Sequence, residues 1–165
     1  MTSVLRAFQN VISSGCDAAL LVAGEFVSSD LARRVEPLLH NERIVRIGYS
    51  PEAGFWRYAC ATDACINLRY PTAGETSGIA VRFMGLGKPV LVTGGEETAS
   101  FPRAACLRVD SGLNEVEMLT DYMKWLATAP PEAHAIGGRA AAHIALHHAP
   151  ARVAAELWRV LESAR

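Results

Sequence analysis

Residues 69–78 read Arg-Tyr-Pro-Thr-Ala-Gly-Glu-Thr-Ser-Gly, a run that brings together glycines, hydroxyls and one carboxylate. Gly74 and Gly78 allow a ligand to approach the backbone closely. Thr76 and Ser77 can cap a helix or donate a hydroxyl. If a helix starts here, its first N–H groups and the positive end of its dipole face the loop. That makes an anion site suited to a diphosphate. Glu75 would repel a bare phosphate but can accept hydrogen bonds from sugar hydroxyls. From these residues alone, a polar loop with a good cap is the favoured reading.

Other spacings carry less chemistry. His143 and His147 stand four apart, as metal ligands on a helix do, but no Glu lies between them in the motif's place and no third ligand is evident; a helical surface pair is expected. Gly85-x-Gly87 and Gly94-Gly95 do not open a helix after the first strand, so a dinucleotide fingerprint is absent. Ser77 lacks a Gly-x-Ser-x-Gly elbow and reads as a cap or phosphate contact. Asp63 reads as a turn residue, Phe55-Trp-Arg-Tyr58 as core and rim, and Glu96 and Glu97 as a solvated loop on the ligand side.

The elements that position this loop alternate along the chain. Helical periodicity over 3–14 ends before Gly15. The apolar run from Ala18 to Ala23, stopped by Gly24, predicts a strand buried on both faces. Further strands are expected at 44–48, 64–68, 89–93 and 105–109, with helices from Ser28 or Ser29, around 55–61 and over 78–86. Beyond 109 only helices are expected: one capped by Asn114, one over 131–147 opened by Pro130-Pro131, and one over 150–163 with an apolar stripe of Val153, Leu157, Trp158 and Leu161. Strands alternating with helices imply parallel β-α-β units. The fold class is therefore α/β, a Rossmann-like parallel sheet of about five strands with helices on both faces and a helical tail. Ligands of such sheets bind outside the carboxyl ends of the strands, where the 69–78 loop lies.

With 165 residues, half of them hydrophobic, the chain suits one domain over 1–165. Sixteen basic and seventeen acidic residues give a net charge of −1; without a basic patch, nucleic acid is not an expected partner. No signal peptide or membrane-length apolar run is visible. The four cysteines, Cys16, Cys60, Cys65 and Cys106, form no paired motif and read as small buried thiols of a reduced cytoplasmic protein.

Asn67-Leu-Arg-Tyr-Pro-Thr-Ala-Gly-Glu-Thr-Ser-Gly78 followed by Gly85-Leu-Gly-Lys-Pro-Val-Leu-Val-Thr93 resembles the donor-site signature of bacterial retaining glycosyltransferases of the two-domain GT-B fold, group 1 type. Weaker pieces follow in the family's order: Leu20-Leu-Val-Ala-Gly-Glu25, Arg46-Ile-Gly-Tyr-Ser50, Phe55 to Asp63, and Gly137, Arg139 and Ala154-Ala-Glu-Leu-Trp in the tail. The resemblance implies the donor-binding, C-terminal domain. Glu75 would be the catalytic residue, holding donor-sugar hydroxyls. Gly74 and the backbone amides at Thr76, Ser77 and Gly78 would hold the diphosphate of a UDP- or GDP-sugar, and Gly48 and Tyr49 would contact the base. No cofactor or metal is implied. The family places a second Glu, which grips the ribose, where this chain has Arg82; a cation there suits a phosphate or Glu75 instead and leaves the base open. The family's opening strand and basic glycine turn have no counterpart here, nor does its acceptor domain. The resemblance thus implies half of a hexosyltransferase of surface polysaccharide or glycan biosynthesis, cytoplasmic or at the inner face of the membrane, silent alone and apt to form a homodimer through the 150–163 helix. A sugar-nucleotide epimerase or phosphorylase of the same fold would need further acid-base residues. A receiver-like signalling module would need clustered acids after its first strand and a late Lys, whereas Glu25 stands alone and Lys88 precedes the fourth strand.

Overall fold

The computed structural model describes residues 1–72 and 74–163. Its elements in chain order are α1 (Thr2–Ser13), β1 (Leu20–Ala23), α2 (Ser29–Leu39), β2 (Ile44–Ile47), α3 (Glu52–Ala61), β3 (Cys65–Asn67), α4 (Gly78–Gly85), β4 (Val90–Thr93), a 3₁₀ turn (Glu96–Thr98), β5 (Leu107–Val109), α5 (Glu115–Thr128), α6 (Pro130–His147) and α7 (Pro150–Ser163). The α/β class and the order of elements are those expected. Hydrogen bonds join the five strands into two sheets, however, β1-β2 and β3-β4-β5, rather than one. The chain forms two compact units: Met1–Asp63 with Val109–Pro130, and Ala64–Arg108 with Pro131–Arg165.

In the first unit, β1 and β2 pair in parallel with Leu20 opposite Ile44 and Ala23 opposite Ile47. The expectation that β1 is buried on both faces fails: only Val22 is buried, because β1 has a single strand partner and sits at a sheet edge. The core of this unit lies instead between helices. The apolar stripe of α1 (Val4, Leu5, Ala7, Phe8, Val11) is buried with Leu119, Thr120 and Met123 of α5 and Val35 of α2. Two polar bonds set the register of α1 on α5, from Ser3 Oγ to Glu115 (2.6 Å) and from Asn10 Nδ2 to Thr120 Oγ1 (3.4 Å). Ser28 caps α2, accepting the Leu31 N–H at 3.2 Å. Asn114 occupies the N-cap of α5, but its side chain makes no capping bond.

In the second unit, β3 and β4 are parallel, with Cys65 opposite Val90 and Asn67 opposite Val92. β4 is the middle strand and is buried over all of Val90–Thr93. Its Pro89-Val-Leu-Val run therefore behaves as a continuous apolar segment should in a covered parallel sheet. Phe83 and Met84 of α4 add to this core. Two cysteines are buried here, Cys65 and Cys106, and burial pushes the Cys65 thiol up to about 12. Cys60 is exposed and Cys16 half-buried, so burial of all four thiols does not hold. Among the described residues no helix is long and apolar enough to cross a membrane.

Glycine decides how α6 seats. A Cβ at Gly137 would lie 2.7 Å from the carbonyl carbon of Gly87 and closer still to its oxygen. Gly87, at φ +72°, makes the left-handed turn between α4 and β4. Main chain therefore rests on main chain. At Gly138, one residue on, a Cβ meets nothing within 4 Å. Gly137→Ala is expected to cost about 1–3 kcal/mol by forcing apart atoms that cannot rearrange locally. Gly138→Ala is expected to gain about 0.5–1 kcal/mol from helix propensity. Denaturant unfolding of the two variants measures the contrast, and equal stabilities would refute the seat.

Candidate functional site

The chemistry gathers at the carboxyl ends of β3 and β4, in the second unit. After β3 the chain runs through Arg69 to the Glu75 loop and into α4. After β4 it turns at Gly94-Gly95 into the 3₁₀ turn. Thr93, buried at the end of β4, holds both loops: its hydroxyl accepts the Arg69 N–H at 2.9 Å, and its carbonyl accepts the Thr98 hydroxyl at 2.9 Å. Thr98 Oγ1 also accepts the Gly95 N–H at 3.3 Å, closing the 3₁₀ turn on itself.

Ser77 is the N-cap of α4, accepting the Ala80 N–H at 3.3 Å. The expected cap is thus present, and Gly78 is the first residue of the helix. By helix geometry the N–H groups of Gly78 and Ile79 have no intrahelical acceptor. Both residues line an open groove of about 380 Å³ together with Asn67, Arg69, Ser77 and Arg82. A Cβ at Gly78 would meet nothing within 4 Å, so the space beside that backbone is open. Gly74 has φ +81°, the left-handed conformation glycine accepts without strain.

Glu75 is exposed, and its carboxylate accepts a hydrogen bond from the Arg69 guanidinium at 2.6 Å, an ion pair whose two side chains are 35% and 67% exposed. At that exposure the pair adds little stability; it holds the carboxylate on Arg69, beside a small notch that shares Asn67, Arg69 and Ser77 with the groove. Arg82, one to two turns into α4, is exposed on the groove side and not on the outer face of the helix. Of the predicted site residues, then, Glu75, Ser77, Gly78 and Arg82 lie around one pair of cavities, with Gly74 and Thr76 exposed in the same loop.

Gly48 and Tyr49 belong to the first unit, at the carboxyl ends of β1 and β2. There the Glu25 carboxylate accepts the Tyr49 N–H at 3.0 Å, and a Cβ at Gly48 would lie 2.8 Å from the same oxygen. Glycine at 48 therefore admits the carboxylate. Arg46 stands 3.9 Å from Glu25 and stacks 4.0 Å from the centroid of Phe26, a cation–π arrangement. The Tyr49 ring is 82% exposed and free to take a flat partner.

Residues that sequence reasoning passed over also matter. Arg69 was read only as part of a motif, and its pairing with Glu75 across six residues has no periodic signature. Glu97 was expected in solvent, but one of its carboxylate oxygens is buried and without a hydrogen-bond partner among the described residues, as is Asn67 Oδ1. His143 departs from the surface pair expected of it. It packs edge-on to Phe101 (6.2 Å between centroids), with His147 at 4.7 Å and His148 at 5.7 Å, and its Nε2 is buried without a partner among the described residues. Burial first, then the neighbouring imidazoles, lower its pKa. Among the described residues no three His, Cys, Asp or Glu side chains are grouped to hold a metal.

No protein-family model and no curated protein matches the sequence. The fold does have solved counterparts. HepE of Anabaena in complex with UDP-glucose matches with a TM-score of 0.81 and 14% identity over 99% of this chain and 45% of that one. Its complex with UDP matches with a TM-score of 0.78 and 17% identity over the same shares. Sucrose-phosphate synthase from Thermosynechococcus elongatus matches with a TM-score of 0.74 and 18% identity over 98% of this chain and 43% of that one. The chain thus spans less than half the length of each. Its fold is that of one part of these proteins, a Rossmann-like half of the two-domain GT-B architecture.

Proposed function

We propose that the chain is the donor-binding half of a retaining hexosyltransferase that uses a UDP- or GDP-linked sugar in surface polysaccharide or glycan biosynthesis, with a separate half binding the acceptor. The observation that carries this reading is the groove at the start of α4, where helix N–H groups, Arg69 and Arg82 converge and the Glu75 carboxylate is held on Arg69 beside it. Its support from outside the chain is a shared fold with HepE, which has been seen with UDP-glucose. In a retaining transfer the nucleotide diphosphate leaves as the bond to the sugar breaks, and charge grows on its oxygens. Fixed N–H dipoles at Thr76, Ser77 and Gly78 meet that charge without reorganising. Arg82, where a ribose-gripping Glu would otherwise stand, adds positive charge on the same side. Glu75, held by Arg69, takes the sugar hydroxyls. No metal enters this scheme, and the acceptor is bound by the separate half.

Saturation-transfer NMR of the chain with UDP, GDP and ADP should show at least one nucleotide binding weakly, at about millimolar affinity, or some 4 kcal/mol. Binding of none of them, by the chain or by the complete enzyme, would remove the donor-site assignment. In the complete enzyme, Glu75→Ala should reduce turnover by orders of magnitude, about 10²-fold or more. Arg82→Glu should change nucleotide preference or affinity; an unchanged donor profile would take Arg82 out of the site.

The same reading includes self-association. α7 has no buried residue, and Val153, Leu157, Trp158 and Leu161 leave one apolar stripe in solvent, with Trp158 61% exposed. A second copy, offering the same stripe, is the occupant proposed. Sedimentation at micromolar concentration should show a dimer that Trp158→Glu dissociates. A wild-type monomer would overturn the contact.

A further inference from the structure

Two oxygen atoms at the ends of β3 and β4 are out of keeping with their surroundings. Asn67 Oδ1 and Glu97 Oε2 are both buried, and neither has a hydrogen-bond partner among the described residues. Both residues line a notch of about 10 Å³, bordered also by Thr93, Ser77 and Glu75. That volume is close to one water-sized group. Asn67, Arg69 and Ser77 line the larger groove as well, so the two spaces share a wall.

The neighbours are committed elsewhere. The Thr98 hydroxyl donates to the Thr93 carbonyl, and the nearby guanidinium of Arg69 is held on Glu75. Glycine at 95 leaves room for the carboxylate here, since a Cβ there would lie 2.5 Å from Glu97 Oε2. Buried acceptors left unpaired are costly and rare, and those that persist need a reason. An anion has nothing to offer two acceptors. What suits them is a donor-bearing edge, thin enough for the notch and attached to a body that stays in the groove.

We propose that one ring hydroxyl of the sugar enters the notch and shares its proton between Asn67 Oδ1 and Glu97 Oε2, so that the pair selects a sugar with a free hydroxyl at that position. This rests on the nucleotide-sugar reading and deepens it: Glu75 covers the sugar from the loop, and the Asn67–Glu97 pair is the specificity determinant beneath it.

The test is saturation-transfer NMR and titration of the 165-residue chain with UDP-glucose, GDP-mannose, UDP and GDP. In the wild type, the hexose protons of at least one nucleotide-sugar should be saturated, and that compound should bind more tightly than its free nucleotide. Glu97→Gln, which turns one acceptor into a donor at constant size, should abolish the hexose saturation and close the affinity gap, a loss of about tenfold. It should leave binding of the free nucleotide unchanged, which also certifies the fold. Gly95→Ala, which displaces the carboxylate and leaves Glu97 in place, should do the same. If both variants keep the hexose saturation and the affinity gap, the pair does not read the sugar, and the nucleotide-sugar reading survives alone. If the wild type binds none of the four compounds, either as this chain or within the complete enzyme, both readings fall.

Discussion

The site depends on how β4 ends. Thr93 is buried at the last position of a strand covered on both faces, yet it spends its hydroxyl on the loop after β3 and its carbonyl on the turn after β4. A buried polar residue must find partners, and here the partners are the two loops that carry the candidate chemistry. Loops of this kind are otherwise the most mobile part of a fold. Fixing both to the buried middle strand brings the loops that carry Arg69, Glu75 and Glu97 to one place. Replacing Thr93 by Val would keep its shape and remove the bond that begins this arrangement.

Around that anchor the electrostatics are arranged by side. Main-chain N–H groups at the start of α4 and the guanidinium of Arg82 provide positive potential on the groove. Glu75, Glu97 and Asn67 provide acceptors. A ligand that is anionic at one end and rich in hydroxyls at the other matches both, and a nucleotide diphosphate joined to a hexose has that polarity. The Arg69 guanidinium offsets part of the Glu75 charge while bonding only one of its carboxylate oxygens.

Much of this was legible along the chain. Gly15 and Gly24 end α1 and β1, Pro130-Pro131 divides α5 from α6, and Ser77 caps α4, each by a local rule of backbone conformation or capping. The apolar run at Pro89–Val92 gave the buried strand because the middle of a sheet demands it. The run at Ala18–Ala23 is equally apolar and is only partly covered, since strand order, not composition, decides burial. The 3₁₀ turn at Glu96–Thr98 was hidden because it is held by a bond from Thr98 to the preceding strand. Arg69 with Glu75, and Asn67 with Glu97, are relations between residues six and thirty apart, and no periodicity marks them.

The thiol of Cys65 has a further meaning. It sits at the first position of β3, paired opposite Val90, and burial holds its proton up to about 12. A thiol in that state is chemically mute, because only the thiolate attacks. It gains a voice when β3 parts from β4 and water reaches it. Cys65 is therefore a native clock for local opening, set two residues before Asn67 on the very strand that delivers the groove. Whatever occupies the groove and favours the closed strand must slow that clock, in proportion to how firmly it holds.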